Sequence, residues 1–143
     1  MINDGLKMTG AVAIALNGEV VQEIPNLVVT AGKNFVASRM KDTTKAAMTH
    51  MAIGTNSTTA AVGQTALSAE VARGALTSTT VSNNTIAYVE TFAAGVGTGA
   101  IVEAGVFNAS SSGDMLCRTV FASGVVNKGS ADSMTITWTI TVS

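Results

Sequence analysis

The chain has 143 residues, of which 47% are hydrophobic and only 12% carry a charge, and its net charge is −1. This length fits one domain with a proper hydrophobic core, and the scattered charges exclude the basic surface that nucleic-acid binding requires. Because ordinary soluble domains have roughly 25% charged residues, we expect other chains to cover part of this surface.

Residues 1–9 have the periodicity of neither a strand nor a helix, and we interpret them as an N-terminal arm. Ile2, Leu6 and Met8 would need another surface to bury their side chains. We therefore predict an arm over residues 1–9 that takes part in an interface, and a single β-sandwich domain over residues 10–143.

The first predicted element is a β-hairpin. Val12, Ile14 and Leu16 alternate with alanines, and the residues Asn17 and Gly18 that follow favour a type I′ turn. Residues 19–24 form the returning strand, which the following proline closes because it lacks a backbone donor.

A change of period at Thr30 predicts a helix. Phe35, Val36, Arg39 and Met40 fall near helical spacing, and Thr30 can accept hydrogen bonds from the first free backbone amides. We assign one short helix, over residues 31–41.

The rest of the chain has the pattern of strands separated by polar turns. Residues 47–53 form a strand, residues 54–63 a loop, and residues 65–71 either one helical turn or an extended segment. The five strands expected after these segments are 75–82, 85–93, 100–108, 115–122 and 134–142. About eight strands and one short helix indicate an all-β fold, an antiparallel two-sheet sandwich or a related jelly-roll-like arrangement.

The last strand carries the clearest signal. Apolar residues alternate with threonines, which places one face against the core and a ladder of threonines on the other. The apolar face consists of Met134, Ile136, Trp138, Ile140 and Val142.

Catalytic and cofactor-binding patterns are missing from the sequence. His50 is the single histidine and Cys117 the single cysteine, and no pair of carboxylates is spaced like a metal clamp. Residues 95–99, Gly-Val-Gly-Thr-Gly, lead into a strand, so we interpret them as a turn and not as a phosphate-binding loop. We predict a non-enzymatic protein with no cofactor, no metal and no catalytic residue. No apolar run approaches the roughly 20 residues that span a bilayer, so we expect no membrane partner.

Four charged residues lie within otherwise apolar segments: Glu70, Arg73, Glu103 and Arg118. Charges in such positions tend to be paired, either with one another or across a subunit boundary. Both alternatives stay open, and Arg73, Glu103 and Arg118 join the residues of the arm as interface candidates.

Five segments resemble a widespread group of small virion proteins of tailed bacteriophages. They are Asn-Leu-Val-Val-Thr-Ala-Gly-Lys-Asn at 26–34, Met-Thr-His-Met-Ala-Ile-Gly-Thr at 48–55, Thr-Ala-Leu-Ser-Ala-Glu-Val-Ala-Arg at 65–73, Ile-Val-Glu-Ala-Gly-Val-Phe at 101–107 and Thr-Ile-Thr-Trp-Thr-Ile at 135–140. The group includes capsid decoration or cement proteins, and related patterns occur in tail-fibre and collar proteins.

The resemblance implies an all-β protein, made in the host cytoplasm, that associates with itself as a trimer and is located in the virion. Its other partner would be the major capsid protein or another virion protein. The function implied is that of a cement protein on the capsid surface, which binds the capsid lattice at capsomer junctions and stabilises the head. The alternative is a tail or tail-fibre module for attachment or receptor binding.

Overall fold

The structure is a computed structural model that describes residues 5–41 and 45–143. Within these ranges the chain forms twelve strands and one helix. The elements are β1 (Met8–Leu16), β2 (Glu19–Pro25), β3 (Leu27–Val28), α1 (Thr30–Lys41), β4 (His50–Gly54), β5 (Glu70–Ala75), β6 (Ser78–Ser82), β7 (Thr85–Phe92), β8 (Gly99–Ile101), β9 (Glu103–Phe107), β10 (Met115–Val120), β11 (Val126–Lys128) and β12 (Met134–Val142).

Two five-stranded antiparallel sheets enclose the core. Sheet A has the order β2-β1-β12-β7-β6, sheet B has the order β3-β10-β9-β4-β5, and β8 and β11 form a small separate pair. The predicted all-β sandwich with one short helix is confirmed. The strands exceed the predicted eight for three reasons: β3 and β11 are too short to show a period of two, the predicted strand 100–108 is divided into β8 and β9, and the segment left open at 65–71 ends in the extended strand β5.

The first hairpin forms as predicted. Asn17 and Gly18 have positive φ angles of 52° and 83°, as a type I′ turn requires, and Pro25 ends β2. The predicted boundary of the arm needs correction, however. Strand β1 begins at Met8, which pairs with Val142. The alternation was hidden in the sequence because Gly10, the next position on the inward face, has no side chain.

Strand β12 is the central strand of sheet A and confirms the predicted alternation. Met134, Ile136, Trp138 and Ile140 are buried in the main core, whereas the intervening threonines point away from it. Trp138 is fully buried and lies between Val12 on β1 and Tyr88 on β7.

The helix begins at Thr30, one residue before the predicted start. It lies close to β10, and a Cβ atom at Gly32 would come within 2.0 Å of the carbonyl oxygen of Leu116. Only glycine permits this approach, which also buries Phe35. No helix within 5–41 or 45–143 has the length and apolar character needed to cross a membrane.

The chain passes from one sheet to the other at both sides of the sandwich. At one side, Asn26 separates β2 of sheet A from β3 of sheet B. At the other side, the amide of Leu76 donates to Thr49 next to sheet B, and the amide of Thr77 donates to Val89 of sheet A.

Candidate interaction surfaces

The outer face of sheet B is covered by the protein itself. Ala52, Phe107 and Met115 point away from the main core and pack with Leu67, which belongs to the loop of residues 55–69. The loop is also attached to the start of the helix, where the amide of Thr30 donates to the carbonyl oxygen of residue 62. A polypeptide layer therefore shields this face.

A buried ion pair attaches this loop to the sheet. Arg118 and Glu103 lie 2.6 Å apart, and both side chains have no solvent-exposed surface. Arg118 also donates to the carbonyl oxygen of Thr58, and Glu103 accepts hydrogen bonds from the amides of Ser68 and Ala69. Of the two alternatives left open by the sequence, the structure shows internal pairing. The prediction that Glu103 and Arg118 take part in an interface is corrected, because neither side chain presents a surface to a second chain.

Arg73 is also held within the chain. Its guanidinium binds both carboxylate oxygens of Glu70 and the carbonyl oxygens of Ala109 and Ser112, and it lies 3.8 Å above the centre of the Phe107 ring. Its side chain is only 7% exposed. The structure therefore gives Arg73 an internal role as well.

The outer face of sheet A is different, because no described element covers it. We name the outward side chains of its three middle strands the Thr/Ala face. They are Thr9, Ala11, Ala13 and Ala15 on β1, Thr135, Thr137, Thr139 and Thr141 on β12, and Thr85, Ala87, Val89 and Thr91 on β7. None of them carries a charge, and Thr91 and Thr135 share a hydrogen bond of 2.8 Å between their hydroxyl groups.

A shallow trough of about 560 Å³ runs along this face. Ala11 and Ala13 form its floor, and Thr137 and Thr139 form the wall on the β12 side. The other wall contains the exposed Glu23 on β2, the charged side chain closest to the trough. The face therefore offers a depression with an uncharged floor and an uncharged wall of threonines, and with the carboxylate of Glu23 on its β2 side.

A second surface lies between the start of β1 and the helix. It is a groove of about 530 Å³ that Leu6 and Met8 line on one side and Val36 and Met40 on the other. Leu6 is 74% exposed and Met40 is 80% exposed. Two interface candidates of the predicted arm, Leu6 and Met8, thus meet here, whereas Ile2 lies outside the described residues.

Met40 was not among the residues predicted to lie in an interface. The spacing of Val36 and Met40 places them on one face of the helix, but it does not say whether that face is covered. The exposed side chains of Lys7 and Lys33 also line the groove and make its border basic.

Titratable side chains do not gather into a site in the part of the chain that the structure describes. There, no group of three or more His, Cys, Asp or Glu residues could hold a metal ion. Cys117 is fully buried among core residues, and this burial raises the pKa of its thiol well above the ordinary value.

We predict that Cys117 reacts with iodoacetamide at least about 100-fold more slowly in the folded protein than in urea, because only the exposed thiolate reacts and exposure requires opening of the core. Mass spectrometry of alkylated protein over time measures both rates. Similar rates in the two conditions would contradict the buried position of Cys117.

Comparisons with protein families, with curated proteins and with solved structures find no match to this chain. The resemblance of five segments to phage virion proteins therefore stays a prediction. Of these segments, 135–140 lies within β12, and 101–107 covers β9 and the end of β8. Strand β12 belongs to sheet A and β9 to sheet B, so these two segments lie in the two sheets of the sandwich.

Proposed function

We propose that the protein is a non-enzymatic structural protein of a bacteriophage particle, a cement protein that binds the major capsid protein lattice at capsomer junctions and stabilises the head. The five segments that resemble phage virion proteins support this proposal. The observation that carries it is the Thr/Ala face, a broad and uncharged sheet surface that the described part of the chain leaves open.

An uncharged face suits a protein that is surrounded by neighbours. Charged side chains lose their hydration when a surface is covered, and the free energy of binding suffers unless each charge finds a partner. Threonine and alanine side chains avoid this cost. A lone soluble domain, by contrast, usually has charged residues of both signs over its surface.

The groove between β1 and the helix supports attachment to a second protein. Its floor is apolar and Lys7 and Lys33 lie at its border, so a capsid-protein segment with apolar side chains and a carboxylate would fit it. Burial of Leu6 and Met40 would contribute about 1.5 to 3 kcal/mol each before ordering costs. One groove therefore binds weakly, and several copies that are joined to one another would bind a capsid lattice much more strongly.

The test is decoration of capsids that lack the protein. We expect deletion of residues 2–6, and separately the double substitution Leu6→Asp and Met40→Asp, to weaken binding by at least about tenfold, since one apolar side chain alone contributes more than 1.4 kcal/mol. The deletion stops before Lys7, because the backbone of Lys7 exchanges two hydrogen bonds with Ser143.

Val81→Asp is the matched control, because Val81 is 70% exposed on the edge strand β6 and does not line the groove. Undiminished decoration by both groove variants would show that another surface binds the capsid. Binding to isolated tails and not to capsids would favour the tail or tail-fibre module instead.

A further inference from the structure

We infer that the Thr/Ala face binds the same face of a second copy about a two-fold axis, so that the threonine row of each copy occupies the alanine trough of the other. This inference deepens the self-association that belongs to the proposed function, and it rests on that function.

The shape of the face is complementary to itself. Ala11 is paired with Thr139, and Ala13 with Thr137, on neighbouring strands about 4.8 Å apart. A threonine side chain extends beyond Cβ, whereas an alanine side chain ends there. The face therefore has a ridge, formed by the threonines of β12, beside a trough floored by the alanines of β1.

The position of the ridge and the trough on one face selects the symmetry. In a two-fold contact both copies use the same patch. The ridge of each copy can therefore lie in the trough of the other. A ring of three copies needs two different patches on each chain. The Thr/Ala face thus favours a dimer over the trimer that the resemblance to phage virion proteins implies.

The chemistry of the face also fits a second copy. Two such faces bring together methyl groups and hydroxyl groups, and no charge of β1, β12 or β7 is buried between them. Within the described residues, the hydroxyl groups of Thr137 and Thr139 have no protein partner, and they can bond to the threonines of another copy. Glu23 on β2 pairs with Ala13, so its exposed carboxylate lies on the same side of the sheet and lines the trough, and among the trough-lining residues it is the charge that a second copy would approach.

The area of the face is of the right order. The three strands of the face, about 4.8 Å apart and with about seven residues at about 3.3 Å each, cover about 330 Å² of sheet plane, and the outward sides of the neighbouring β2 and β6 extend this surface to about 550 Å². Side chains that project from the sheet plane add accessible surface to this area, which then approaches the roughly 800 Å² per partner of a standard interface. Within residues 5–41 and 45–143, sheet B has no comparable open face, because its outer side packs against the loop of residues 55–69.

The experiment is equilibrium sedimentation of the full chain and of two variants. We expect the unchanged protein to have twice the mass of one chain at micromolar concentration. Ala13→Arg fills the trough and Thr139→Arg interrupts the ridge, and each is expected to raise the dissociation constant at least about 100-fold, because a bulky guanidinium would be buried in the contact. Both side chains point outward, and circular dichroism checks that each variant is folded.

Thr59→Arg is the control, because this exposed residue lies in the loop that covers sheet B, and it should leave the dimer intact. Dimers that persist in both folded variants would overturn the inference and leave self-association standing. A trimeric mass would overturn the two-fold contact while supporting the trimer that the resemblance implies. A monomer would overturn both, and the decoration assay would still decide whether the chain binds capsids.

Discussion

Replacement of Trp138 by alanine is expected to lower the free energy of unfolding by about 3 to 5 kcal/mol, the usual cost of truncating a large buried aromatic side chain. Trp138 has no exposed surface and lies in the central strand of sheet A, between Val12 and Tyr88. The cavity left behind would be enclosed by strands on both sides, so the surrounding chain could collapse into it only in part.

Urea denaturation followed by circular dichroism measures this effect. Trp138→Phe is the matched control, because it keeps an aromatic ring and sacrifices no hydrogen bond: the indole nitrogen has no partner among the described residues. We expect a clearly smaller loss for the phenylalanine variant. An alanine variant with an unchanged denaturation midpoint would mean that the inward and outward faces of β12 are reversed.

Replacement of Arg118 by methionine is the second change with a large expected effect, about 3 to 5 kcal/mol, because it leaves the buried carboxylate of Glu103 without its cation. The loop of residues 55–69 would also lose the hydrogen bond from Arg118 to Thr58. We therefore expect faster cleavage of this loop by a protease, in addition to the lower denaturation midpoint.

The chain offers a control for this prediction at its surface. Lys45 and Asp114 form an ion pair of 3.1 Å whose side chains are 39% and 32% exposed. Exposed pairs contribute about 0 to 1 kcal/mol, so Lys45→Met should have little effect. Equal losses of unfolding free energy for Arg118→Met and Lys45→Met would contradict the buried ion pair. Addition of Glu103→Gln to Arg118→Met should restore part of the stability.

The sequence predicted those elements whose pattern is local. The alternation from Met134 to Val142 and the turn at Asn17 and Gly18 depend on neighbouring residues, and the structure has both where they were expected. Strands β3 and β11 were missed because two or three residues carry no period. The start of β1 was missed because Gly10 interrupts its apolar face.

The partners of the buried charges could not be predicted, because they depend on register. Glu103 and Arg118 stand out in the sequence as charges in apolar strands, but their contact requires that β9 and β10 pair with Arg118 opposite Gly105. The exposure of the threonine ladder could be predicted only in part. The period of two predicted that the threonines of β12 point away from the core. Which outer face is covered depends on the path of residues 55–69, which pack on sheet B and leave sheet A open.

The difference between the two outer faces explains how one sandwich could serve in an assembly. A buried ion pair and a loop close the outer face of sheet B, so this part of the molecule needs no partner. The outer face of sheet A and the groove at the helix remain open in the described chain. In the proposed function these two surfaces bind different neighbours, a second copy and the capsid protein.

The most direct test of a capsid cement function is the number of copies in the particle. Quantitative mass spectrometry of purified virions, produced from the genome that encodes this chain, would compare it with the major capsid protein. We predict hundreds of copies per particle, in a fixed ratio to the capsid protein. A few copies per particle, or none, would contradict the proposed function.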